Sequence, residues 1–269
     1  MQKLAVVTPY HNDIETIEAV MDGLISNNVA LEWYLVDDAS SKPPTPILEK
    51  LKDSGWFTYI RNEDNIGGAA SLTLGIKCAI AEGANLIAIN DADDISYPNR
   101  FPEQIKAFEE DPDLMVIGGA ADMVDFDTGE LLWRAYHPET DSEIRRKNRL
   151  NAAFVHSTIT YRSGVFEKCG DYRANTIAYD YDFISRVLSH GCKARNLSSC
   201  VLKYNIRRNS ISVSKRRRQV SYRLKTQLRV FDPLNVWSYI GVARTIAAYM
   251  VSSSVTNSTK SLLYQINSQ

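Results

Sequence analysis

The chain has 269 residues, of which 44% are hydrophobic and 23% are charged, with a net charge of -1. This composition is ordinary for a soluble globular protein of one large domain, or of one domain with an appendage. Its four cysteines lack the spacing of a zinc site, so we expect reduced thiols. The first apolar run, Leu4–Val7, is too short for a signal peptide, which predicts a cytoplasmic protein.

Charge is divided unevenly between the two ends of the chain. Residues 1–182 hold 31 of the 32 acidic residues and 16 of the 31 basic ones. Residues 183–269 hold one acidic residue and 15 basic ones. Such asymmetry predicts that the C-terminal third meets an anionic partner.

The first 118 residues alternate short apolar runs with stretches of helical spacing. This alternation predicts an α/β fold in which helices cover both faces of a parallel sheet. Asn12 or Asp13 would cap the first helix. We expect strands at residues 4–8, 32–36, 56–60, 85–90 and 114–118, and helices at 14–24, just after Pro46, at 69–82 and at 101–110.

The pattern is less regular after residue 118. Asp127-Thr128-Gly129 predicts a hairpin turn, residues 157–162 a strand and residues 183–190 a helix. Four basic residues at 215–218 precede a segment of helical apolar spacing. Residues 234–255 are mostly apolar, but Arg244 interrupts them.

A cluster of carboxylates, Asp91-Ala92-Asp93-Asp94, follows the fourth predicted strand. In sheets of this kind, ligands bind beyond the carboxyl ends of the strands. Carboxylates this close repel one another unless a cation neutralises them, and hard oxygen ligands suit Mg²⁺ or Mn²⁺. The alternative is a helix cap with a solvated turn, which Pro98 also favours.

Three further residues have the chemistry of a nucleotide site. Asp38 follows the second strand, where it would accept a hydrogen bond from a base N–H such as uracil N3, and Tyr10 would stack on a base. Gly67 lies where a loop enters a helix, a geometry that turns backbone N–H groups towards phosphate or sugar oxygens. The alternatives are turn chemistry at Asp38 and simple packing of Tyr10.

Two carboxylates, Asp180 and Asp182, stand at the start of an apolar helix. One of them near the metal cluster would serve as a general base for an acceptor hydroxyl. The alternative is that Asp180 caps the helix.

Taken in order, these segments resemble the family 2 glycosyltransferases of the GT-A fold. The resemblance covers about residues 3–212 and implies a Rossmann-like, mixed but mostly parallel sheet flanked by helices. It rests on residues 6–12, 36–40, 65–76 and 90–100, on His156-Ser157 and on the region of Asp180.

The resemblance implies a role for each matched residue. Thr8, Tyr10 and Asp38 would hold the nucleoside, with Asp38 on the base. Asp91 would contact the donor near its ribose or diphosphate, and Asp93 would ligate Mn²⁺ or Mg²⁺.

The resemblance also implies a single in-line displacement on a nucleotide-sugar donor, most commonly a UDP-sugar. Asp180 would deprotonate a hydroxyl of a glycan or lipid-linked glycan acceptor. The oxygen would attack the anomeric carbon as the nucleoside diphosphate leaves, which inverts the configuration. Assembly of O-antigen, capsule or another cell-surface polysaccharide is the implied setting.

The chain departs from the family pattern at two positions. Tyr179 stands where relatives often have Glu, and Arg207 stands where a His is expected. A guanidinium cannot ligate a metal, but it would clamp a phosphate. We therefore expect a metal site built from few protein groups and helped by Arg207.

We expect a GT-A domain over residues 1–212, with a nucleotide-sugar-binding half at 1–118 and an acceptor half at 119–212. Residues 213–269 would form a basic, helical extension. Its charge and apolar stretch favour an amphipathic helix at the cytoplasmic face of the inner membrane, in contact with anionic lipid. The alternative is helices packed back on the catalytic domain. Nucleic acid is not an expected partner, because base-stacking aromatic residues are sparse there.

Two other functions stay open. A sugar nucleotidyltransferase would need a glycine-rich basic loop after the first strand, where this chain has Pro9-Tyr10-His11-Asn12. A non-catalytic sugar-nucleotide or glycan-binding module would tolerate the loss of Asp93 or Asp180, and both are present.

Overall fold

A computed structural model describes residues 2–174, 177–207 and 216–251 of the chain. The strands are β1 Leu4–Tyr10, β2 Leu31–Asp37, β3 Phe57–Arg61, β4 Leu86–Ile89, β5 Ile95–Ser96, β6 Leu114–Asp125, β7 Leu131–Ala135, β8 Thr160–Arg162 and β9 Lys193–Ile206. The helices are α1 Ile17–Ser26, α2 Thr45–Leu51, α3 Gly68–Ala81, α4 Arg100–Glu110, α5 Asp141–Leu150, α6 Gly164–Cys169, α7 Tyr179–Ser189, α8 Arg216–Arg229 and α9 Val236–Val251, with a 3₁₀ turn at His156–Thr158.

The strands form one mixed sheet in the order β3-β2-β1-β4-β8-β6-β9-β5, with β7 paired to β6. The β1, β2, β3 and β4 strands run parallel, and so do β6 and β9. The antiparallel β8 strand joins these two parallel groups. The polar residues that follow β1, β2, β3 and β4 therefore meet at one edge of the sheet.

Helices cover both faces of this sheet, as the strand–helix alternation predicts. Side chains of β1 alternate between the two cores: Leu4 and Val6 pack with α1, α2 and α4, whereas Ala5 and Val7 pack with α3, α6 and α7. Gly75 lets α3 approach the sheet closely, because a Cβ there would lie 2.6 Å from a methyl carbon of Val7.

The predicted strands and helices of the first 118 residues are confirmed, with shifted ends. The first helix begins at Ile17 and not at residue 14, because Asn12 adopts a left-handed backbone with φ 64° and the chain turns once more before Thr16. The hairpin turn at residues 127–129 is confirmed between β6 and β7. The strand predicted from Ser157 begins only at Thr160, after the 3₁₀ turn. The sequence patterns did not predict β5, α5, α6 or β9.

The two C-terminal helices pack against α5 and α7. Gln227 of α8 donates a hydrogen bond to the Arg149 carbonyl of α5 at 2.9 Å, and Gly241 of α9 lies against that same carbonyl. Residues 208–215 and 252–269 of the predicted extension lie outside the described residues. Within the described ranges, no helix combines the length and the apolar character needed to cross a membrane.

Candidate active site

The acidic loop, residues 91–94, follows β4 and is held in place by hydrogen bonds from buried polar groups. The Asn90 amide donates to the carbonyls of Asp91 and Asp94, each at 2.9 Å. The Arg100 guanidinium, which is fully buried, donates to Asn90 Oδ1 at 2.9 Å. Burial lowers the pKa of Arg100 to about 9, against the opposing effect of Asp94 and Asp91. A buried cation therefore supports the acidic loop from the side of the protein core.

The end of β9 contacts the same loop from the other side. Ile95, directly after the loop, pairs with Lys203, and the backbone N–H of Asn205 donates to Asp94 Oδ1 at 3.1 Å. This pairing brings Arg207 to the loop, where its Nε lies 3.9 Å from Asp93 Oδ2. The guanidinium stacks over the ring of Phe126, 3.9 Å from its centroid. The predicted proximity of residue 207 to the acidic loop is thus present.

Two carboxylates that the sequence patterns did not single out also face Arg207. Asp13 Oδ1 lies 3.9 Å from Nη2, and Glu15 Oε2 lies 3.8 Å from Nη1. Both belong to the turn before α1, which is tied to the acidic loop because the Thr16 hydroxyl lies 2.8 Å from the Ala92 carbonyl. Arg207 is therefore surrounded by carboxylates from two separate loops.

The acidic loop carries more negative charge than its surroundings neutralise. Burial, then Asp91 and Asp13, raise the pKa of Asp93 to about 7, and Arg207 opposes this shift. Burial, followed by Asp93 and Asp91, raises the pKa of Asp94 well above its ordinary value. Carboxylates with raised pKa values are typical of positions that bind a cation or a proton in function.

The described residues include no group of three His, Cys, Asp or Glu side chains placed to hold a metal ion. The carboxylates of Asp13 and Asp93 nevertheless face the same cation, since each lies 3.9 Å from a nitrogen of Arg207, and Asp13 contributes to the raised pKa of Asp93. Proteins commonly bind Mg²⁺ through one or two carboxylates, and phosphate oxygens of the substrate and water supply the remaining ligands. The residues therefore fit an ion whose other ligands come from a bound diphosphate.

Asp91 is oriented by two residues of the 3₁₀ turn. The Ser157 hydroxyl donates to Asp91 Oδ2 at 2.7 Å, and His156 Nδ1 lies 4.0 Å from the same oxygen. The His156 ring meets the edge of Tyr179 at a centroid distance of 5.7 Å. Burial, then the charges of Asp91 and Asp180, raise the pKa of Tyr179 well above its ordinary value. Tyr179, in the position where a Glu was expected, therefore experiences the charge of both carboxylates.

Asp38 ties down the loop that leads into α3. Its carboxylate accepts hydrogen bonds from the Asn62 amide at 2.9 Å and from the backbone amides of Ile66 and Gly67 at 2.8 Å. Burial acts to raise the pKa of Asp38, but these hydrogen bonds outweigh it and lower the pKa. The Gly67 amide thus has a protein partner, which differs from the expectation that it faces a phosphate. Donor contacts of Asp38 and Gly67 stay predictions.

Thr8 and Tyr10 point into the core. The Trp33 indole donates to Thr8 Oγ1 at 3.0 Å, and the Tyr10 hydroxyl donates to the Lys42 carbonyl at 2.7 Å. Burial, then Asp37 and Asp13, raise the pKa of Tyr10 to about 12. The structure differs from the expectation of an open Tyr10 ring, because the side chain is fully buried in the core that β1 forms with α1, α2 and α4. Donor contacts of Thr8 and Tyr10 stay predictions.

The ring of His11, which follows Tyr10, is exposed instead. Its Nδ1 is 2.9 Å from the Asp38 backbone carbonyl and 3.3 Å from the side-chain amide nitrogen of Asn65, which is also exposed. No separate role was predicted for His11, which lies in the matched segment 6–12. Side chains alternate along an extended chain, so the residue directly after the buried Tyr10 could have been expected to be exposed.

The two carboxylates at the start of α7 have different surroundings. Asp180 is half-buried and lines a small cleft with His156 and Tyr181. Asp182 is buried and accepts contacts from Arg186 at 3.1 Å and Arg229 of α8 at 3.4 Å. Asp182 therefore serves to join helices, whereas Asp180 remains available to a ligand.

Comparison with known proteins identifies the class of fold and then the family. The sequence model described as "Glycosyl transferase family 2" matches residues 5–170. The chain is 30% identical over 212 residues to the amylovoran biosynthesis glycosyltransferase AmsE of Erwinia amylovora, covering 76% of this chain and 74% of that protein. The crystal structure of S. aureus TarS residues 1–349 in complex with UDP-GlcNAc superposes with a TM-score of 0.74 at 15% identity, covering 96% of this chain and 78% of that one. The mannosyltransferase PcManGT of Pyrobaculum calidifontis, in complex with GDP-Man and Mn2+, gives a TM-score of 0.64 at 14% identity, covering 98% of this chain and 79% of that one.

These likenesses define a GT-A glycosyltransferase, with the mixed, mostly parallel sheet that the sequence predicts. The chain belongs to glycosyltransferase family 2.

Proposed function

We propose that this glycosyltransferase moves a sugar from a UDP-sugar to a hydroxyl of a glycan or lipid-linked glycan, with inversion, in the synthesis of a cell-surface polysaccharide. One observation carries the proposal. Asp93 Oδ2 and Arg207 Nε lie 3.9 Å apart at the carboxyl end of β4, and Asp180 lines a cleft with His156, whose Nδ1 is 4.0 Å from Asp91 Oδ2. The UDP-GlcNAc bound to TarS and the GDP-Man bound to PcManGT support a nucleotide-sugar as the donor class.

On the donor side, the proposal assigns charge stabilisation to the acidic corner. Asp93, with Asp13 beside it, would hold Mn²⁺ or Mg²⁺, which neutralises the charge that develops on the departing diphosphate. Arg207 would donate its unpaired N–H groups to phosphate oxygens. Asp91, held by Ser157, would accept from the donor near its ribose or diphosphate.

The nucleoside would lie against the residues around Asp38. Thr8, Tyr10, Asp38 and Gly67 would support this nucleoside site from below, since their side chains or amides already bond to protein groups. The exposed His11 ring would stack on the base in the manner first expected of Tyr10.

On the acceptor side, Asp180 would take the proton from the attacking hydroxyl. The hydroxyl oxygen would then form its bond to the anomeric carbon as the bond from that carbon to the diphosphate oxygen breaks. A single displacement of this kind inverts the configuration.

We also propose that α8 and α9 hold the enzyme at an anionic membrane surface while packed on the catalytic domain. Leu234 is 96% exposed and Val236 61%, next to the exposed basic residues Lys225 and Arg229. Apolar side chains beside a basic face are the two signals that stable attachment requires. A lipid-linked acceptor would be presented at such a surface.

The test is UDP release from a panel of UDP-sugars, with and without Mn²⁺. We expect metal-dependent release that Asp93→Ala reduces by about 100-fold or more, because an oriented charge at a developing oxyanion contributes about that much. The matched control is Asp122→Ala, which removes a carboxylate that pairs with Arg134 away from the acidic loop.

The same panel separates the two other functions. Pyrophosphate formation from a sugar phosphate and a nucleoside triphosphate would identify a nucleotidyltransferase. Tight UDP-sugar binding without turnover in any metal would identify a binding module.

A further inference from the structure

The surroundings of Arg207 contain an unusual combination of charge without hydrogen bonding. Three carboxylates lie 3.8 to 3.9 Å from its nitrogens, just beyond hydrogen-bond distance. Nε and Nη2 are buried and have no hydrogen-bond partner among the described residues. The guanidinium is held by charge and by the Phe126 ring, and two of its buried donors are left without an acceptor in the described part of the chain.

A divalent ion bound to Asp93 would have to lie within a few ångströms of this guanidinium. Metal–carboxylate distances are about 2.0–2.2 Å for Mg²⁺, whereas Arg207 Nε is 3.9 Å from Asp93 Oδ2. Two cations this close repel strongly in a partly buried site. Arg207 and the ion therefore compete for the charge of Asp93 in the geometry that the nucleotide-free chain adopts.

We propose that Arg207 is an internal counter-ion that competes with the divalent metal for Asp93, so that the metal binds tightly only after the donor diphosphate has drawn the guanidinium away. A diphosphate offers a bidentate acceptor to the arginine and further oxygens to the metal. Nucleotide and metal affinities are then coupled through Arg207, and the coupling is reciprocal. This inference rests on the proposed donor site.

The test measures Mn²⁺ binding to the nucleotide-free protein from the electron paramagnetic resonance signal of free Mn²⁺, at a pH well above 7 so that Asp93 is ionised in every protein despite its raised pKa. We expect Arg207→Gln to bind Mn²⁺ about tenfold more tightly than the wild type, because removing a positive charge about 4 Å from a carboxylate frees it for the ion. Adding Asp93→Asn to this variant should abolish the gain. Arg134→Gln, which removes a guanidinium from the carboxylate of Asp122, is the matched control and should leave Mn²⁺ affinity unchanged.

A second readout uses UDP in the presence of a chelator. Arg207→Gln should weaken metal-free UDP binding, measured by calorimetry, by about tenfold, since a charge-assisted pair is lost. Unchanged Mn²⁺ affinity in Arg207→Gln, or a gain that persists after Asp93→Asn, overturns the counter-ion. A protein that gains Mn²⁺ affinity as expected but releases UDP from no donor supports the counter-ion and contradicts the proposed function.

Discussion

At the scale of single residues, the start of α7 shows how two identical side chains acquire different tasks. Asp180 and Asp182 are two positions apart on one helix, so they point in different directions. Asp180 faces the cleft beside His156, whereas Asp182 is 1% exposed and lies among arginines 173, 186 and 229. The sequence shows both carboxylates but not this division, because two of the arginines that surround Asp182, Arg173 and Arg229, come from outside α7.

The two carboxylates should respond differently to the same substitution. We expect Asp180→Asn to lower kcat by about 100-fold to 10,000-fold, the range typical of a lost general base, with little change in the melting temperature or in UDP affinity. Asp182→Asn should instead lower the free energy of unfolding by about 1–3 kcal/mol, because the buried carboxylate loses its charge-assisted contact with Arg186, whose side chain is 11% exposed. Steady-state kinetics and urea denaturation of both variants check the pair, and a stable, fully active Asp180→Asn enzyme would contradict the assignment of the base.

The residues around Arg207 mark the limit of sequence reasoning at this scale. Asp93 and Arg207 were predicted to share a site, from a family resemblance. Asp13 and Glu15 were missed because their role depends on the return of β9, which a local pattern does not describe. The ring of Tyr10 was expected to be open, but it packs in the core between β1 and the helices α1, α2 and α4, a tertiary contact that a local pattern does not describe.

At the scale of elements, apolar runs explain which segments could be predicted. The strands β1, β2 and β4 are buried on both faces and stand out as short apolar runs. The β9 strand is half polar, and only Ile144 and Asn148 of α5 are buried, so neither has a clear period in the sequence. Both are held by their neighbours: β9 pairs with β5 and β6, and α5 packs against α9.

The crossing of α5 and α9 depends on Gly241. A Cβ at this position would lie 1.9 Å from the Arg149 carbonyl oxygen, so the helices would have to separate. We expect Gly241→Ala to lower the free energy of unfolding by about 1–3 kcal/mol and to speed proteolysis of α8 and α9. Gly164→Ala is the matched control, since a Cβ there meets nothing closer than Met115 at 3.8 Å. Equal stability of the two variants would contradict the close packing of α9.

At the scale of the whole molecule, charge is segregated along the chain and reassembled in space. The basic C-terminal helices contact the acidic remainder through Arg229 with Asp182, and Arg149 of α5 lies 3.4 Å from Asp232. Acidic and basic side chains therefore both help to attach the C-terminal helices to the rest of the molecule. The composition predicts the asymmetry; only the folded chain shows which of these charges remain exposed.

The exposed tip between α8 and α9 should carry the membrane contact. We expect the double substitution Leu234→Ser and Val236→Ser to weaken binding to phosphatidylglycerol vesicles by about tenfold or more, because each exposed apolar side chain would otherwise be buried in the lipid interface. Leu131→Ser with Leu132→Ser is the matched control, since both leucines are exposed on β7. Vesicle sedimentation measures the bound fraction, and wild-type protein that stays in solution with these vesicles would rule out the attachment.

The acidic loop and its cation belong to segments far apart in the chain. The loop is held by Asn90, Arg100 and Asn205, whereas Arg207 lies just beyond the last residue of β9 and takes no part in those bonds. Residue 207 can therefore be substituted without loss of the hydrogen bonds that hold the acidic loop. We expect the preferred ion of such an enzyme, and the concentration at which it is needed, to be an evolvable trait that selection or laboratory engineering can adjust at one side chain.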